Sequence, residues 1–181
     1  VVDFCMKAHL RSEPEPGTVP LLYPGHFNGQ HIEWPKLDMK RPNAILRNLE
    51  TEKWLFPIGH YCVVRRFSSK EEKRRIMASI VQPTNFPGVE VLGFENHLNV
   101  LHEHRQGLPD ALARGLSVFL NSTAVDECFR RFNGHTQVNA TDLKLMKYPS
   151  REVLTVLGKK AKNLPDDQQS IDNLINEIQD T

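Results

Sequence analysis

The chain changes its hydrophobic period once, and that change most narrows what it can fold into. Residues 54–67, WLFPIGHYCVVRRF, and 75–81, RIMASIV, are rich in β-branched and aromatic side chains and flank the polar run SSKEEKR. Two such runs around a polar break predict a hairpin. VEVLGF and NHLNVLHEH continue the sheet, with Leu98 and Val100 alternating with Asn99 and Leu101 as in a half-buried strand. Further along, the spacing becomes helical. LPDALARGLSVFLNS sets Leu112, Leu116 and Phe119 on one stripe, and in TAVDECFRRF the residues Val125, Cys128, Phe129 and Phe132 fall at i, i+3, i+4 and i+7. Asp126 and Glu127 lie early in that segment, Arg130 and Arg131 late, and Asn133-Gly134 closes it, as helix ends prefer. REVLTVLGKK and QSIDNLINEI predict two further helices. Strands first and helices after predict an α+β fold, with a mixed or antiparallel sheet in the first two thirds and helices packed on it in the last third.

With 181 residues and 39% apolar content, the chain can bury one substantial core. Residues 11–30 are rich in Pro and Gly and predict a loop-dominated stretch with a short strand at Val19 to Tyr23, followed by another at HIEW, 31–34. No run reaches the length of a membrane span, and no signal peptide is visible. Cys5, Cys62 and Cys128 are widely spaced, without a C-x-x-C, and predict reduced, buried thiols in a cytoplasmic protein. The opening VVDFCMK lacks an initiating methionine and already has a strand-like pattern, so the chain reads as a piece of a larger polypeptide.

The net charge of +1 is uninformative, but its distribution is not. RRFSSKEEKRR, residues 65–75, carries six basic and two acidic side chains, a local +4 that leaves −3 for the remainder. Such a segment suits an anionic polymer, and a solvated hairpin tip is the competing explanation. Strand alternation turns Arg65 and Arg66 to opposite faces, so at least one would serve as an ion-pair partner, for Glu71 or Glu72.

A second polar cluster, FNGHTQVNATDLKLMKYP, occupies residues 132–149. Asn139 stands three residues before Asp142 and predicts an N-cap, and Pro149 ends the short helix that follows. Capping leaves His135, Thr136 and Gln137 unexplained, on a connection where side chains can meet a ligand.

FNGHTQVNATDL resembles the signature near the end of target recognition domains in N6-adenine DNA methyltransferases of restriction-modification systems. It is also similar to the related pattern in type I specificity subunits. VPLLYPGHF, YCVVRRFSSKEEKRRI, FENHLNVLH and ARGLSVFLNS resemble the same C-terminal region, so the likeness spans most of residues 1–158. Enzymes of this kind hold S-adenosylmethionine on a Phe-x-Gly-x-Gly turn and the target adenine on an Asn/Asp-Pro-Pro-Tyr/Phe motif. No two prolines are adjacent here, and no two glycines are separated by one residue. The resemblance therefore implies a non-catalytic recognition domain, residues 1–164, with a C-terminal helix and tail over 165–181. Double-stranded DNA is its implied partner. No cofactor is expected in this piece; S-adenosylmethionine and the methyltransferase domain would lie upstream in the same chain.

Under that resemblance Arg65, Arg66, Lys70, Lys73, Arg74 and Arg75 are candidate phosphate contacts on an exposed hairpin. His135, Thr136 and Gln137 are candidate DNA contacts too. Relatives that share this signature read different sequences, so scaffold or phosphate contact suits these three better than base reading. Base readers are expected in parts of 26–54 or 82–90. The set His97, His102 and His104 with Glu95 or Glu103 raises a metal-dependent hydrolase, but His97 would face away from the other two on a regular strand, and no thiolate pair supports them. Cys62 and Cys128 read as core, as do Trp34 and Trp54. A protein-interaction or assembly domain, using the helices and acidic tail, is the rival from another class.

Overall fold

The computed structural model describes residues 1–3, 5–69, 71–165 and 167–179. Its strands are β1 (Leu10–Arg11), β2 (Thr18–Leu22), β3 (Phe27–Asn28), β4 (His31–Ile32), β5 (Ala44–Leu46), β6 (Phe56–Pro57), β7 (Tyr61–Arg65), β8 (Ala78–Val81), β9 (Val91–Phe94) and β10 (Leu98–Leu101). The helices follow: α1 (Asp110–Leu120), α2 (Thr123–Phe132), α3 (Ala140–Leu145), α4 (Arg151–Lys160) and α5 (Gln168–Gln179). The predicted α+β order is observed.

Strand β7 pairs antiparallel with β8 on one side and β10 on the other, with Val64 opposite Ala78 and Asn99. This is the predicted hairpin, continued by the third strand. The larger sheet runs β1-β5-β2-β9-β6 and is mixed, because β2 and β9 are parallel while its other pairs are antiparallel.

The position of β7 explains why its sequence does not alternate polar with apolar. Tyr61 and Val63 pack with Leu22, Phe56, Leu92 and Phe94 of the larger sheet, while Cys62 and Val64 pack with Leu112, Leu116 and Phe129 of the helices. A strand covered on both faces reads as an unbroken apolar run.

Helices α1 and α4 meet backbone to backbone. A Cβ added at Gly115 would lie 1.8 Å from the Leu154 carbonyl oxygen, and one at Gly158 would lie 1.7 Å from that of Ala111. Only glycine permits this approach. Helix α5 then buries Ile171 against Val118, Leu157 and Ala161. Its Asp172 accepts from the Thr123 N–H at 2.8 Å and the Thr123 hydroxyl at 2.6 Å, fastening α5 to the start of α2.

Helix α2 corrects two expectations about its stripe. Cys128 is exposed, and Asp126, expected only as a dipole partner, is buried. The helix turns its acid inward because the main-chain N–H groups of Arg75 and Ile76 donate to it. Cys5 is also exposed, so of the three thiols only Cys62 is in the core. Among the described residues no helix is long and apolar enough to cross a membrane.

Candidate nucleic-acid interface

The two polar clusters, far apart in the chain, lie side by side. Beyond the end of β7 the backbone of 66–68 runs antiparallel to 136–138. Ser68 N–H donates to the Thr136 carbonyl at 3.1 Å, Val138 N–H donates to the Arg66 carbonyl at 2.7 Å, and Phe67 lies opposite Gln137. On the other flank, Arg66 N–H donates to the His97 carbonyl at 2.8 Å. The basic segment is thus sandwiched between the start of β10 and the loop after α2.

The loop keeps its shape through its own side chains. Buried Asn133 donates from Nδ2 to the Gln137 carbonyl at 3.1 Å and to Asp142 Oδ2 at 2.9 Å, while its Oδ1 accepts from the His135 N–H at 2.9 Å. Asp142 also accepts from the Asn139 N–H at 3.1 Å, the expected capping arrangement at the start of α3. Asn99, reaching from β10, donates to the Val138 carbonyl at 2.7 Å. Asn and Asp suit this work because their short side chains imitate backbone hydrogen-bonding groups.

Beneath the surface lies Arg75, 1% exposed. Its guanidinium donates to Ser68 Oγ at 3.0 Å and to the His135 carbonyl, and it lies over the Phe129 ring at 5.6 Å. Asp126 sits below, accepting from Arg75 N–H at 2.7 Å, Ile76 N–H at 3.0 Å and Arg130 Nε at 2.8 Å. Burial alone would raise the Asp126 carboxyl. The Arg130, Ile76 and Arg75 donors together outweigh burial and hold it below the ordinary carboxylate value.

The nine predicted contact residues therefore divide. His135 and Thr136 are exposed and Gln137 half-buried, and together with Gly134 and Asn139 they border an open hollow. Lys73 is exposed with no ion-pair partner among the described residues. Arg66 is half-buried, donating to the Asn96 carbonyl at 3.3 Å. Arg65 pairs with Glu72 at 3.3 Å, the ion pair foreseen for one of the two arginines. Lys70 lies outside the described residues. Arg74 and Arg75 correct the expectation of an exposed hairpin. Arg74 turns inward, donating to the Ser122 carbonyl at 3.0 Å and to Gln168 of α5, and Arg75 is wholly buried. Residues 72–76 fold back over α2 instead of standing in solvent, and Arg130 holds them there by donating to the Glu72 and Lys73 carbonyls.

Phe67 went unnoticed in the sequence. Phe67 is 37% exposed, and its ring lies 5.0 Å from that of His97. Arg41 is exposed and borders the same cavity as Arg65 and Phe67. An aromatic within a basic run is the signal that could have found Phe67.

The histidines serve local packing and turns. His97 Nδ1 meets Glu95 Oε1 at 2.6 Å, whereas His102 accepts the Arg105 N–H and lies against Phe56. Among the described residues no three His, Cys, Asp or Glu side chains gather as a metal site would need. Trp34 donates to the Asn43 carbonyl at 2.7 Å and packs edge-on against Phe86.

Over 161 residues the chain is 60% identical to the type II methyltransferase M.BsuBI of Bacillus subtilis, a match covering 88% of this chain and 31% of that protein. Over 177 residues it is 44% identical to the type II methyltransferase M.PstI of Providencia stuartii, covering 98% of this chain and 35% of that protein. The chain thus spans about a third of the length of these relatives. No family model and no solved structure matches.

Proposed function

We propose that this chain is the DNA target recognition part of an N6-adenine methyltransferase, gripping duplex DNA along the edge where residues 65–73 meet residues 134–139. One observation carries this reading. The cross-strand bonds between 66–68 and 136–138 bring exposed His135 and Thr136 and half-buried Gln137 beside half-buried Arg66. Phosphate oxygens accept from both kinds of group, and helix-free connections held on a rigid sheet are good carriers for them. The similarity to two type II methyltransferases supports the assignment.

In this reading Arg65, Arg66, Lys70 and Lys73 neutralise phosphates, and His135, Thr136 and Gln137 add neutral contacts to the backbone. Arg74 and Arg75 act from behind, as framework. Methyl transfer and S-adenosylmethionine belong to a domain whose motifs this chain lacks, and the protein works in the cytoplasm where its DNA is.

The test is binding of a fluorescent duplex by the chain and by a variant combining Arg66→Gln with Lys73→Gln. Binding by the parent, weakened at least tenfold in a variant that melts at the same temperature, supports the proposal. Equal binding by both would move the interface elsewhere on the surface. A parent with no duplex affinity at low salt would favour the protein-interaction reading.

A further inference from the structure

Strand β10 lies at the edge of the three-stranded sheet, with β7 on one side and, among the described residues, no strand on the other. Register decides which of its main-chain groups are left over. Arg66 N–H donates to the His97 carbonyl, so the main-chain groups of Asn99 and Leu101 also turn toward β7, opposite Val64 and Cys62. The N–H and C=O of Val100, between them, point away from the sheet, and neither meets a partner among the described residues. An edge like this is usually covered or blunted by charge.

Here it forms one wall of a groove of about 480 Å³. Leu143 and Lys144 of α3 make the opposite wall, and Leu116 of α1, Leu154 of α4 and Tyr148 line the space between. No role described above uses it. A free strand edge facing a helix across apolar side chains is how an extended peptide is held. Main-chain bonds supply affinity, and every second side chain enters the groove.

The start of the chain lies at one end of this groove. Val2 N–H donates to the Phe94 carbonyl, the Phe94 ring packs on Phe56, and the Phe56 ring lies 5.5 Å from that of His102, the residue that follows β10 and borders the groove. Burial first, and Arg105 second, lower the pKa of the Val1 amino group. After burial and Arg105, that amino group in turn lowers His102. Charges act this way only at short range, so Val1 sits beside His102. About two thirds of each relative lies outside the stretch it shares with this chain.

We infer that the groove seats the segment of the longer polypeptide immediately preceding Val1, extended along β10 and bonded to the Val100 N–H and C=O, with an apolar side chain between Leu116, Leu143 and Leu154. The inference rests on the reading above, in which the methyl-transfer domain precedes this chain. Asn99 of the same strand donates to the Val138 carbonyl at 2.7 Å, so a segment pinned here ties the incoming domain to the edge that grips DNA.

Hydrogen exchange at the Val100 amide tests it, with DNA absent, in this chain, in the full-length protein and in a full-length variant whose segment before Val1 is replaced by a Gly-Ser linker of equal length. The amide should exchange fast in the chain alone, about a hundredfold more slowly in the full-length protein, and fast again in the linker variant. A synthetic peptide of the replaced segment, added to the isolated chain, should slow the same amide. Equal exchange in the chain and the full-length protein would overturn the inference. So would slow exchange that persists in the linker variant, since another part of the protein would then fill the groove. Duplex binding by the isolated chain is read separately, so the DNA-gripping role and the seated segment fail in different measurements.

Discussion

The guanidinium of Arg75 donates to the main-chain carbonyl of His135, joining from beneath two segments sixty residues apart. With Ser68 Oγ as its second acceptor, this buried side chain fixes the distance between the basic connection and the polar loop. Arg75→Ala would leave a cavity and strip donors from two acceptors, at a cost of about 3 kcal/mol. Arg75→Lys should recover little, because a single ammonium lacks the planar fork needed to reach both acceptors. Denaturant melts measure both.

Lys73→Ala is the contrasting case. Its side chain is exposed and unpaired among the described residues, so stability should shift by less than about 0.5 kcal/mol. The slope of log affinity against log salt should fall by about 0.9, the share of one phosphate contact. A large stability loss, or an unchanged slope, would remove Lys73 from the interface.

Asp126 makes the fold sensitive to acid. Its folded carboxyl is held below the unfolded value, so its contribution is fully present above that unfolded value and disappears as pH falls through the depressed one. Asp126→Asn should lower stability at neutral pH by about 2 kcal/mol, through weaker bonds to Arg130 and the main chain. Its melting temperature should then vary less than that of the parent below about pH 4. Parallel acid profiles for the two proteins would contradict this.

Gly158→Ala separates helix propensity from packing. In an isolated helix the change is favourable by about 1 kcal/mol. Here the new methyl would lie 1.7 Å from the Ala111 carbonyl oxygen and 2.7 Å from Gly115 N. The helices would have to part, costing about 3 kcal/mol. A variant as stable as the parent would show that α1 and α4 do not meet this closely.

Periodicity made the elements readable, and through them the order of the fold. The hairpin of β7 and β8, the capped helix α3 and the helical end of the chain were all legible, because each is governed by local spacing or a cap. Asn139 and Asp142 announced themselves three residues apart. The inward turn of Arg74 and Arg75 was not legible, since the partners of their guanidinium groups, Ser122 and Gln168 for the first and His135 for the second, lie 48 or more residues away. A helical wheel put Cys128 inside and left Asp126 as a surface charge, and only the main-chain donors of residues 75 and 76 reverse that. Likewise Gly115 and Gly158 look like poor helix residues until the two helices are seen to touch. Phe67 was passed over because an aromatic in a strand-like run usually belongs to a core.

The dependence of duplex binding on salt tests the central claim most directly. With Arg65, Arg66, Lys70 and Lys73 at the interface and Arg74 and Arg75 in the framework, about four phosphates are neutralised and the slope should be roughly −3.6. A slope near zero, or no measurable affinity at about 50 mM salt where phosphate contacts are strong, would contradict the account.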